Sequence, residues 1–432
     1  MFREIPAPVL EVIKKLKEKK HQAYLVGGCV RDMLRGIEPK DWDVATSAVP
    51  EVVQGLFPRV IPTGIQFGTV TVLMAGEGIE VTTFRRDGVY RDGRHPSTVT
   101  FGTDVEADLL RRDFTINALA YDPVEERLLD PTGGIADLRA GLVRAVGDPC
   151  VRFREDALRL LRAIRFAGQI GGAIEPGTWT ALCRLSRRLQ FIAPERIQQE
   201  LDKILLQEPL QPSFNRLEKS GLLLVIFPAL YKQTRHPLPV SLKTCTLVSP
   251  LLHLRLAGLL SGITDPAFQL LSLKYPKELS RRVGHLVTSL ARLPREGTDL
   301  AAARHYLCRL GRDHLPDLLQ LAAALEEAGG FEPGIQHRIN RFLEALGQVT
   351  AEDFPLSPDQ LALDGRMLMD HLGIAPGPLI GKLRRLLWEE VLQDPRRNRR
   401  EYLLTRGRQL AAQGEKEGRV GAAETPPAGP RE

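Results

Sequence analysis

The sequence is poor in cysteine and has no long apolar run. Its 432 residues include only five cysteines, and no two of them form a C-x-x-C pair, which argues against a disulfide framework. No apolar segment approaches the ~20 residues of a membrane span. The charged N-terminus, MFREIPAPVLEVIKKLKEKK, lacks the apolar core of a signal peptide. These absences predict a soluble, cytoplasmic protein with reduced thiols and no membrane partner.

The chain carries a modest excess of basic residues. Its net charge is +6 and its pI is near 9.1, which is compatible with a nucleic-acid partner. The hydrophobic content of 43% and the charged content of 26% are ordinary for a soluble protein. The length allows about two to four domains, each with its own core.

A strand, a glycine turn and a helix are predicted near the N-terminus. The apolar residues 24–26 meet Gly27 and Gly28, and a short helical pattern follows to Leu34. Without Cβ atoms, the glycines let backbone N–H groups approach a triphosphate, and the helix N-terminus adds partial positive charge. Arg31, in the first turn of that helix, is placed to reach a phosphate.

Two carboxylates follow on the next predicted strand, DWDVA. Because successive strand side chains point to opposite faces, Asp41 and Asp43 are expected on one face, about 6.5 Å apart at Cα. Such a pair repels unless a cation lies between the carboxylates, and Mg²⁺ prefers oxygen ligands of this kind. A lone D-x-D is more often a solvated turn. The prediction of phosphoryl or nucleotidyl transfer therefore depends on the combination of the D-x-D pair with the glycine turn.

Further strands are predicted at residues 69–74 and 79–84. Glu80, in the second of these strands, either supplies a third carboxylate to the metal site or is a polar residue of an edge strand. Residues 85–108 contain two Asp-Gly pairs and are predicted to form a mobile charged loop. That loop either carries specificity beside an active site or is a passive surface connection.

A polar cluster is predicted on a helix over residues 108–120. Its polar members are interleaved with apolar residues, so their hydrogen-bonding groups need partners. Either a nucleotide's ribose hydroxyls and phosphates supply these partners, or the residues form an internal salt-bridge cluster. The members are Arg111, Arg112, Asp113 and Asn117.

A second informative helix is predicted over residues 154–167. A charged row repeats on it at a spacing of three, which gives a slowly drifting stripe at 100° per residue. The row is either a functional stripe or a set of intrahelical Asp–Arg salt bridges. Its members are Asp156, Arg159, Arg162 and Arg165.

Four of these segments, in this order, resemble the signature motifs of the bacterial-type class II tRNA nucleotidyltransferase and poly(A) polymerase family. They read GGCVRDMLRG, DWDVAT, RRDFTINALA and REDALRLLRAIRFA, and APERIQQELDKILL at residues 193–206 is similar to the family's last motif. The similarity spans residues 20–205. It implies an α+β protein with a polymerase-β-like nucleotidyltransferase head that contains a mixed sheet, followed by helical domains.

The resemblance implies five regions along the chain. These are a catalytic head at 1–140, a neck with a base-templating helix at 141–208, a body with a degenerate HD-like region at 209–330, a tRNA-binding tail at 331–411 and a disordered C-terminus at 412–432.

The resemblance also implies roles for the matched residues. Asp41 and Asp43 hold Mg²⁺, Gly28 and Arg31 contact the triphosphate, and Arg112 and Asp113 recognise the ribose. Glu80 is a further catalytic candidate because of its place in the strand, not because of the resemblance. The full nucleotide-binding set is Gly27, Gly28, Arg31, Arg112, Asp113, Asn117, Asp156, Arg159, Arg162 and Arg165.

In this family the helix that carries Asp156 and Arg159 acts as a protein template for the incoming base. A carboxylate accepts from the exocyclic amino group of cytosine or adenine, and a guanidinium donates to the ring nitrogen beside it. Uracil and guanine present the opposite pattern and would leave a desolvated charge unpaired.

The implied function is template-independent addition of C, C and A to the 3′ end of tRNA from CTP and ATP, with release of pyrophosphate and binding of the acceptor arm. The intact segment 85–108 argues against a CC-only enzyme. A-only addition and poly(A) polymerase activity remain as alternatives. A non-catalytic tRNA-binding protein on the same scaffold is the alternative from another class.

Two parts of the helical remainder need separate interpretation. Residues 235–247 and 255–264 resemble an HD phosphohydrolase-like region, but Cys245 and Ser261 to Gly262 stand where metal ligands are expected, which argues against hydrolase activity. A basic cluster near the C-terminus is either a solvated face or a phosphate contact that makes RNA binding salt-sensitive. It comprises Arg384, Arg385, Arg396, Arg397, Arg399 and Arg400.

Overall fold

The protein has an α+β fold with its main sheet in the N-terminal part of the chain. The computed structural model describes residues 5–87, 99–232, 234–293 and 297–421. The strands are β1 Ala23–Val26, β2 Asp43–Thr46, β3 Val60–Gly64, β4 Thr69–Met74, β5 Glu77–Thr83, β6 Arg85–Asp87, β7 Val99–Phe101, β8 Ala120–Asp122, β9 Arg127–Leu129, β10 Leu142–Val143 and β11 Ala173–Ile174.

Helices flank this sheet and make up most of the remaining chain. Among the described residues, no helix is both long enough and apolar enough to cross a membrane. The α-helices are α1 Ala7–Glu18, α2 Gly28–Leu34, α3 Pro50–Leu56, α4 Val105–Leu110, α5 Gly134–Arg139, α6 Pro149–Glu155, α7 Leu158–Gln169, α8 Pro176–Leu185, α9 Pro194–Leu205, α10 Gln211–Lys219, α11 Leu222–Ile226, α12 Leu238–Leu247, α13 Leu252–Leu259, α14 Pro266–Ser272, α15 Lys277–Arg292, α16 Leu300–Leu310, α17 Leu315–Glu327, α18 Pro333–Thr350, α19 Gly365–Leu372, α20 Pro378–Gln393 and α21 Arg400–Gly421.

The main sheet is mixed, as expected for the head. Its strand order is β3-β4-β5-β2-β1-β8-β9. β2 and β5 are parallel, whereas the other neighbours pair antiparallel. The register of the parallel pair places Asp43 opposite Glu80. Paired strand residues leave the sheet on the same face, so these two carboxylates are neighbours.

Both faces of the sheet are covered, which explains the uninterrupted apolar run of β1. Leu25 packs into a core with Val9, Ile13 and Val44. Tyr24 and Val26 point the other way, into a second core that also contains residues of α4. A strand buried on both sides needs apolar residues at successive positions rather than in alternation.

Several predicted boundaries were wrong because tertiary contacts override the local pattern. Residues 108–120 do not form one helix: α4 ends at Leu110, a 3₁₀ turn spans Thr115–Asn117, and β8 begins at Ala120. The intervening chain pairs instead with the segment before α6, through a Phe114–Ala145 bridge and a Thr115 N–H bond to the Arg144 carbonyl. β10 and β11 also show that strands continue beyond residue 140.

Two segments bear on the predicted loop and the predicted disordered tail. β6 and β7 form an antiparallel pair within the predicted loop, and residues 88–98, on which the prediction of mobility mainly falls, lie outside the described residues. α21 continues to Gly421, past the predicted boundary at 411. Residues 412–421 include helix-forming Ala, Gln, Glu, Lys and Arg, and their glycines cost only about 1 kcal/mol each. Residues 422–432 are not described.

The chain divides into two compact units. The first comprises residues 1–238, 249–256 and 267–280, and the second comprises residues 239–248, 257–266 and 281–432. All candidate nucleotide-site residues belong to the first unit. The finer division into head, neck, body, tail and C-terminus stays a prediction.

Candidate active site

The glycine turn brings distant residues of the site together. Gly27 follows β1 with a φ of 74°, and its N–H donates to the carbonyl of Leu119. A Cβ atom at this position would lie 3.0 Å from Nη1 of Arg112 and 3.8 Å from Oδ2 of Asp43. The turn therefore needs glycine both for its backbone conformation and for the space that these two charged groups occupy.

The acidic pair is arranged differently from the prediction. β2 begins at Asp43. Asp41 therefore lies in the bend before the strand, and not on the strand as predicted, and its side chain is exposed. Glu80 lies opposite Asp43 on β5. The tertiary structure thus adds to Asp43 a carboxylate from another strand, which is the arrangement expected if Glu80 joins the site.

The electrostatics of these carboxylates favour a bound cation. Burial raises the pKa of Asp43, with a contribution from Asp41, and the nearby Arg112 opposes the shift. The side chain of Glu80 is exposed at the surface, but partial desolvation raises its pKa as well, and the charges of Asp43 and Asp41 raise it further. When they are ionised at neutral pH, these carboxylates repel one another, and a divalent cation would relieve that repulsion.

The donor set fits a magnesium-like ion better than a closed protein cage. Within the ranges that the structure describes, no three or more His, Cys, Asp or Glu side chains form a group that could hold a metal ion. Mg²⁺ commonly takes one or two carboxylates and completes its octahedron with waters and substrate phosphates. Asp41 and Asp43 fit that mode, and Glu80 stays a candidate.

The RRDFTINALA segment forms a buried polar network, which supports the alternative of internal pairing. Asp108 accepts from Arg111 at 2.6 Å and from Arg112 at 3.1 Å. Asp113, only 8% exposed, accepts from Arg162 at 2.7 Å and from the Asn117 amide at 3.2 Å. These contacts pair most of the polar groups without a nucleotide, although within the described residues Nε of Arg112 is buried and has no hydrogen-bond partner. Ribose recognition stays a prediction.

The same network reaches the glycine-turn helix. Arg31 is 3% exposed, and its Nη1 donates to Oδ1 of Asn117 at 2.7 Å. Its Nε and Nη2 donate to Asp32.

Burial by itself would raise the pKa of Asp113, but Arg162 and Arg159, together with hydrogen bonds, lower that pKa to about 2. The carboxylate is therefore held ionised.

The predicted base-templating helix is broken at its first member. α6 ends at Glu155, Asp156 is extended with φ −146° and ψ 106°, and α7 starts at Leu158. The Asp156 carboxylate accepts from the N–H of Leu158 at 3.0 Å, as aspartates do at helix starts. The continuous helix predicted over 154–167 is thus wrong, and Asp156 lies at a helix junction.

Each member of the charged row has a partner elsewhere. Arg196 donates to both oxygens of Asp156, at 2.7 Å and 3.3 Å. Arg159 donates to Glu155 at 2.5 Å and to the Arg152 carbonyl. The other two pairs are Arg162 with Asp113 and Arg165 with Glu200.

Arg196 and Glu200 bond to members of the charged row, and the sequence interpretation missed both residues. They lie four residues apart on α9 and hold Asp156 and Arg165, respectively. Glu200 is only 4% exposed. The sequence contained a signal for Arg196 and Glu200, because residues at i and i+4 share a helix face. Both residues also lie in the segment similar to the family's last motif.

The remaining predicted sites give mixed results. Cys245 is buried, and a Cβ on Gly258 would lie 2.8 Å from the Cys245 Cα, so α12 and α13 are in close contact at this point. The C-terminal basic cluster is partly neutralised, because Arg384 pairs with Asp359 and Arg396 with Asp394. An RNA contact there stays a prediction.

Comparison with known proteins identifies the family. The model described as the poly A polymerase head domain matches residues 23–144. The model described as the probable RNA and SrmB-binding site of polymerase A matches residues 173–233. A CCA-adding enzyme of Geobacillus stearothermophilus is 33% identical over 395 residues, covering 91% of this chain and 94% of the relative. A CCA-adding enzyme of Anoxybacillus flavithermus is 48% identical over 197 residues, covering 46% of this chain and 49% of the relative.

Solved structures agree with these relatives. The Bacillus stearothermophilus CCA-adding enzyme in complex with CTP matches with a TM-score of 0.71 and 30% identity, covering 96% of this chain and all of that one. The Thermotoga maritima CCA-adding enzyme complexed with tRNA shares the fold, with a TM-score of 0.61, 21% identity and coverage of 93% and 95%. The resemblance drawn from the four motifs is thereby confirmed, and this chain belongs to the family of CCA-adding enzymes and poly(A) polymerases, which are nucleotidyltransferases.

Proposed function

We propose that this protein adds C, C and A to the 3′ end of tRNA, using CTP and ATP and releasing pyrophosphate. The observation that carries the proposal is that Asp43 and Arg112 meet at the Gly27 turn, with Glu80 opposite Asp43 on the neighbouring strand. Carboxylates for a metal and a guanidinium for a nucleotide are the groups that nucleotidyl transfer needs. The CCA-adding relatives match over nearly their whole length.

Nucleotidyltransferases of this family generally use a divalent metal, and we assign Mg²⁺ to Asp41 and Asp43. When bound, such an ion makes the RNA 3′-hydroxyl a better nucleophile and neutralises charge on the α-phosphate. The raised pKa of Asp43 and its repulsion with Asp41 support this assignment. Glu80 either contributes an oxygen ligand or adds to the negative field that attracts the cation.

Base selection is assigned to Asp156 and Arg159. The Asp156 carboxylate accepts from an exocyclic amino group, and the Arg159 guanidinium donates to the adjacent ring nitrogen. Arg196 aims the first group and Glu155 the second. A base with the opposite donor and acceptor order leaves one of these charges unpaired, which costs several kcal/mol and is expected to exclude uracil and guanine.

We assign the acceptor arm and 3′ end of tRNA as the RNA substrate, and a solved protein of the same fold is a CCA-adding enzyme complexed with tRNA. The excess of basic residues supports a polyanionic partner. We place the reaction in the cytoplasm because all five cysteines are free thiols, as is usual in a reducing compartment.

The decisive experiment supplies tRNA that ends before the first C, together with Mg²⁺ and labelled CTP or ATP. CCA addition predicts that CTP is used first and that ATP is incorporated once after two CMP residues. Incorporation of ATP alone would indicate A-only addition, and a long run of A would indicate poly(A) polymerase activity. No incorporation of either nucleotide, with tRNA still bound, would favour a non-catalytic binder.

The Asp41→Ala and Asp43→Ala variants test the chemistry separately from RNA binding. Both are expected to reduce incorporation by more than about 1,000-fold, because they remove oxygen ligands of the metal. Their tRNA affinity should stay within about threefold of wild type, since neither carboxylate attracts phosphate.

A further inference from the structure

Three arginines of the candidate nucleotide site converge on one aromatic ring. The guanidinium carbons of Arg31, Arg162 and Arg165 lie 5.1, 5.1 and 4.0 Å from the centroid of the Phe166 ring. Contacts of this length are within the range of cation–π attraction. The three arginines come from α2 and α7, and Phe166 is their common neighbour.

Each of these arginines also has its own carboxylate. Arg31 bonds Asp32, and the other two pairs are Arg162 with Asp113 and Arg165 with Glu200. A carboxylate fixes the direction in which the guanidinium fork points, whereas an aromatic ring restrains the plane of the group. The two contacts together define the orientation of each guanidinium.

The ring itself is held in place. Phe166 is 5% exposed, and the Phe114 ring meets it edge-on, with centroids 5.8 Å apart and an interplanar angle of 74°. Phe114 lies in the RRDFTINALA segment, directly after Asp113. The ring therefore connects the helix that carries the charged row to the segment that flanks the metal carboxylates.

We propose that Phe166 is a positioning residue, whose ring aligns the Arg31, Arg162 and Arg165 guanidinium groups for the nucleotide without touching it. The inference rests on the proposed function for the identity of the nucleotide. A residue that only fills the core would act through stability, whereas Phe166 acts on nucleotide affinity. The ring therefore adds a restraint to guanidinium groups whose direction the ion pairs already set.

The test compares Phe166→Leu with Phe214→Leu. Phe214 is buried on α10, and among the described residues no cation lies over its ring. Both variants lose similar core volume, but only the first loses the shared aromatic face. Phe166→Leu is expected to raise the KM for CTP and for ATP about tenfold, with the KM for tRNA within about twofold of wild type. Phe214→Leu should leave all three within about twofold.

Two further variants keep the inference open to refutation. Phe166→Tyr retains the aromatic face and should keep the KM for CTP within about threefold of wild type. Phe166→Met, which has no ring, replaces Phe166→Leu and is judged by the same criteria if the leucine variant does not fold. An equal rise of KM in Phe214→Leu, an unchanged KM in Phe166→Leu, or a tyrosine variant as impaired as the leucine variant would overturn the assignment.

Calorimetric titration of CTP and ATP distinguishes failure of this inference from failure of the proposed function. If wild-type protein binds both nucleotides but incorporates neither, the proposed activity is wrong, and the role of Phe166 is still decided by the variants' dissociation constants. If incorporation is normal and the affinities of wild type and Phe166→Leu agree, only the positioning role is wrong.

Discussion

Arg196 on α9 holds the Asp156 carboxylate with both arms of its guanidinium group, Nη2 to Oδ2 at 2.7 Å and Nη1 to Oδ1 at 3.3 Å. The pair connects the junction of α6 and α7 to a helix some 40 residues further along the chain. A bidentate bond of this kind fixes the plane of a carboxylate as well as its position.

Replacement of Arg196 by Gln is expected to weaken base selection more than RNA binding. The Asp156 carboxylate would lose its orientation, so kcat/KM for CTP and ATP should fall about tenfold or more, while the KM for tRNA changes little. Relative incorporation of UTP should rise. The measurement is single-nucleotide extension of a shortened tRNA with each of the four nucleotides.

Arg187→Gln provides the control for charge alone, since Arg187 is an exposed arginine in the preceding 3₁₀ helix. Equal losses in both variants would show that net positive charge, and not the orientation of Asp156, accounts for the effect.

The Gly27→Ala variant tests whether the turn needs space in addition to its backbone conformation. A Cβ would approach Arg112 at 3.0 Å and Asp43 at 3.8 Å, so we expect incorporation to fall by about 100-fold or more. Gly36→Ala is a matched control, because its φ of 71° is similar and no atom lies within 4 Å of the added methyl group.

Both alanine variants should lose about 1–3 kcal/mol of stability because their φ is positive, and only Gly27→Ala should lose activity. Similar activities in the two variants would remove the steric role of Gly27.

The Glu80→Gln variant tests whether the strand neighbour of Asp43 serves the metal. If it does, incorporation should fall about tenfold or more and should recover partly as Mg²⁺ is raised, because a ligand has been lost. Glu77→Gln, an exposed position at the start of the same strand, controls for charge on β5. Wild-type Mg²⁺ dependence in Glu80→Gln would restrict the site to Asp41 and Asp43.

The raised pKa values of Asp43 and Glu80 also predict a pH effect on stability without metal. A carboxyl whose folded pKa exceeds its unfolded value stabilises the fold at low pH, and that contribution is lost as the pH rises through the folded pKa. At about pH 7, added Mg²⁺ should therefore raise the melting temperature of wild type by about 1–4 °C and that of Asp43→Asn by less. An equal rise in melting temperature for wild type and Asp43→Asn would show that the ion does not bind at Asp43.

The pKa of Asp113 is lowered to about 2, so the stability that this residue contributes should depend on pH in the opposite direction. Its ionised form contributes about 2–3 kcal/mol of stability above the unfolded pKa of about 3.9, and this contribution is lost as the pH falls through the folded pKa. Asp113→Asn should thus be less stable than wild type at about pH 7, and the difference should shrink below about pH 3. Urea unfolding at several pH values measures it, with the exposed Glu106→Gln as control.

These predictions depend on the sequence to different degrees. The glycine turn, the acidic pair and the four motifs can be located from the sequence because each depends on residue types at short, fixed spacings. Strands β4 and β5 were predicted correctly for the same reason. The helix over 108–120 was not, because Phe114 and Thr115 bond to residues about 30 positions away.

By itself, the sequence determined the family, the head with its mixed sheet and the set of charged residues from which the site is built. Only the tertiary structure decided how those charges pair: Glu80 beside Asp43, Arg196 on Asp156, Glu200 on Arg165 and three guanidinium groups at the Phe166 ring. Periodicity places a side chain on a face of its own helix or strand, whereas the partner of a buried charge is whichever opposite charge folding brings within about 3 Å.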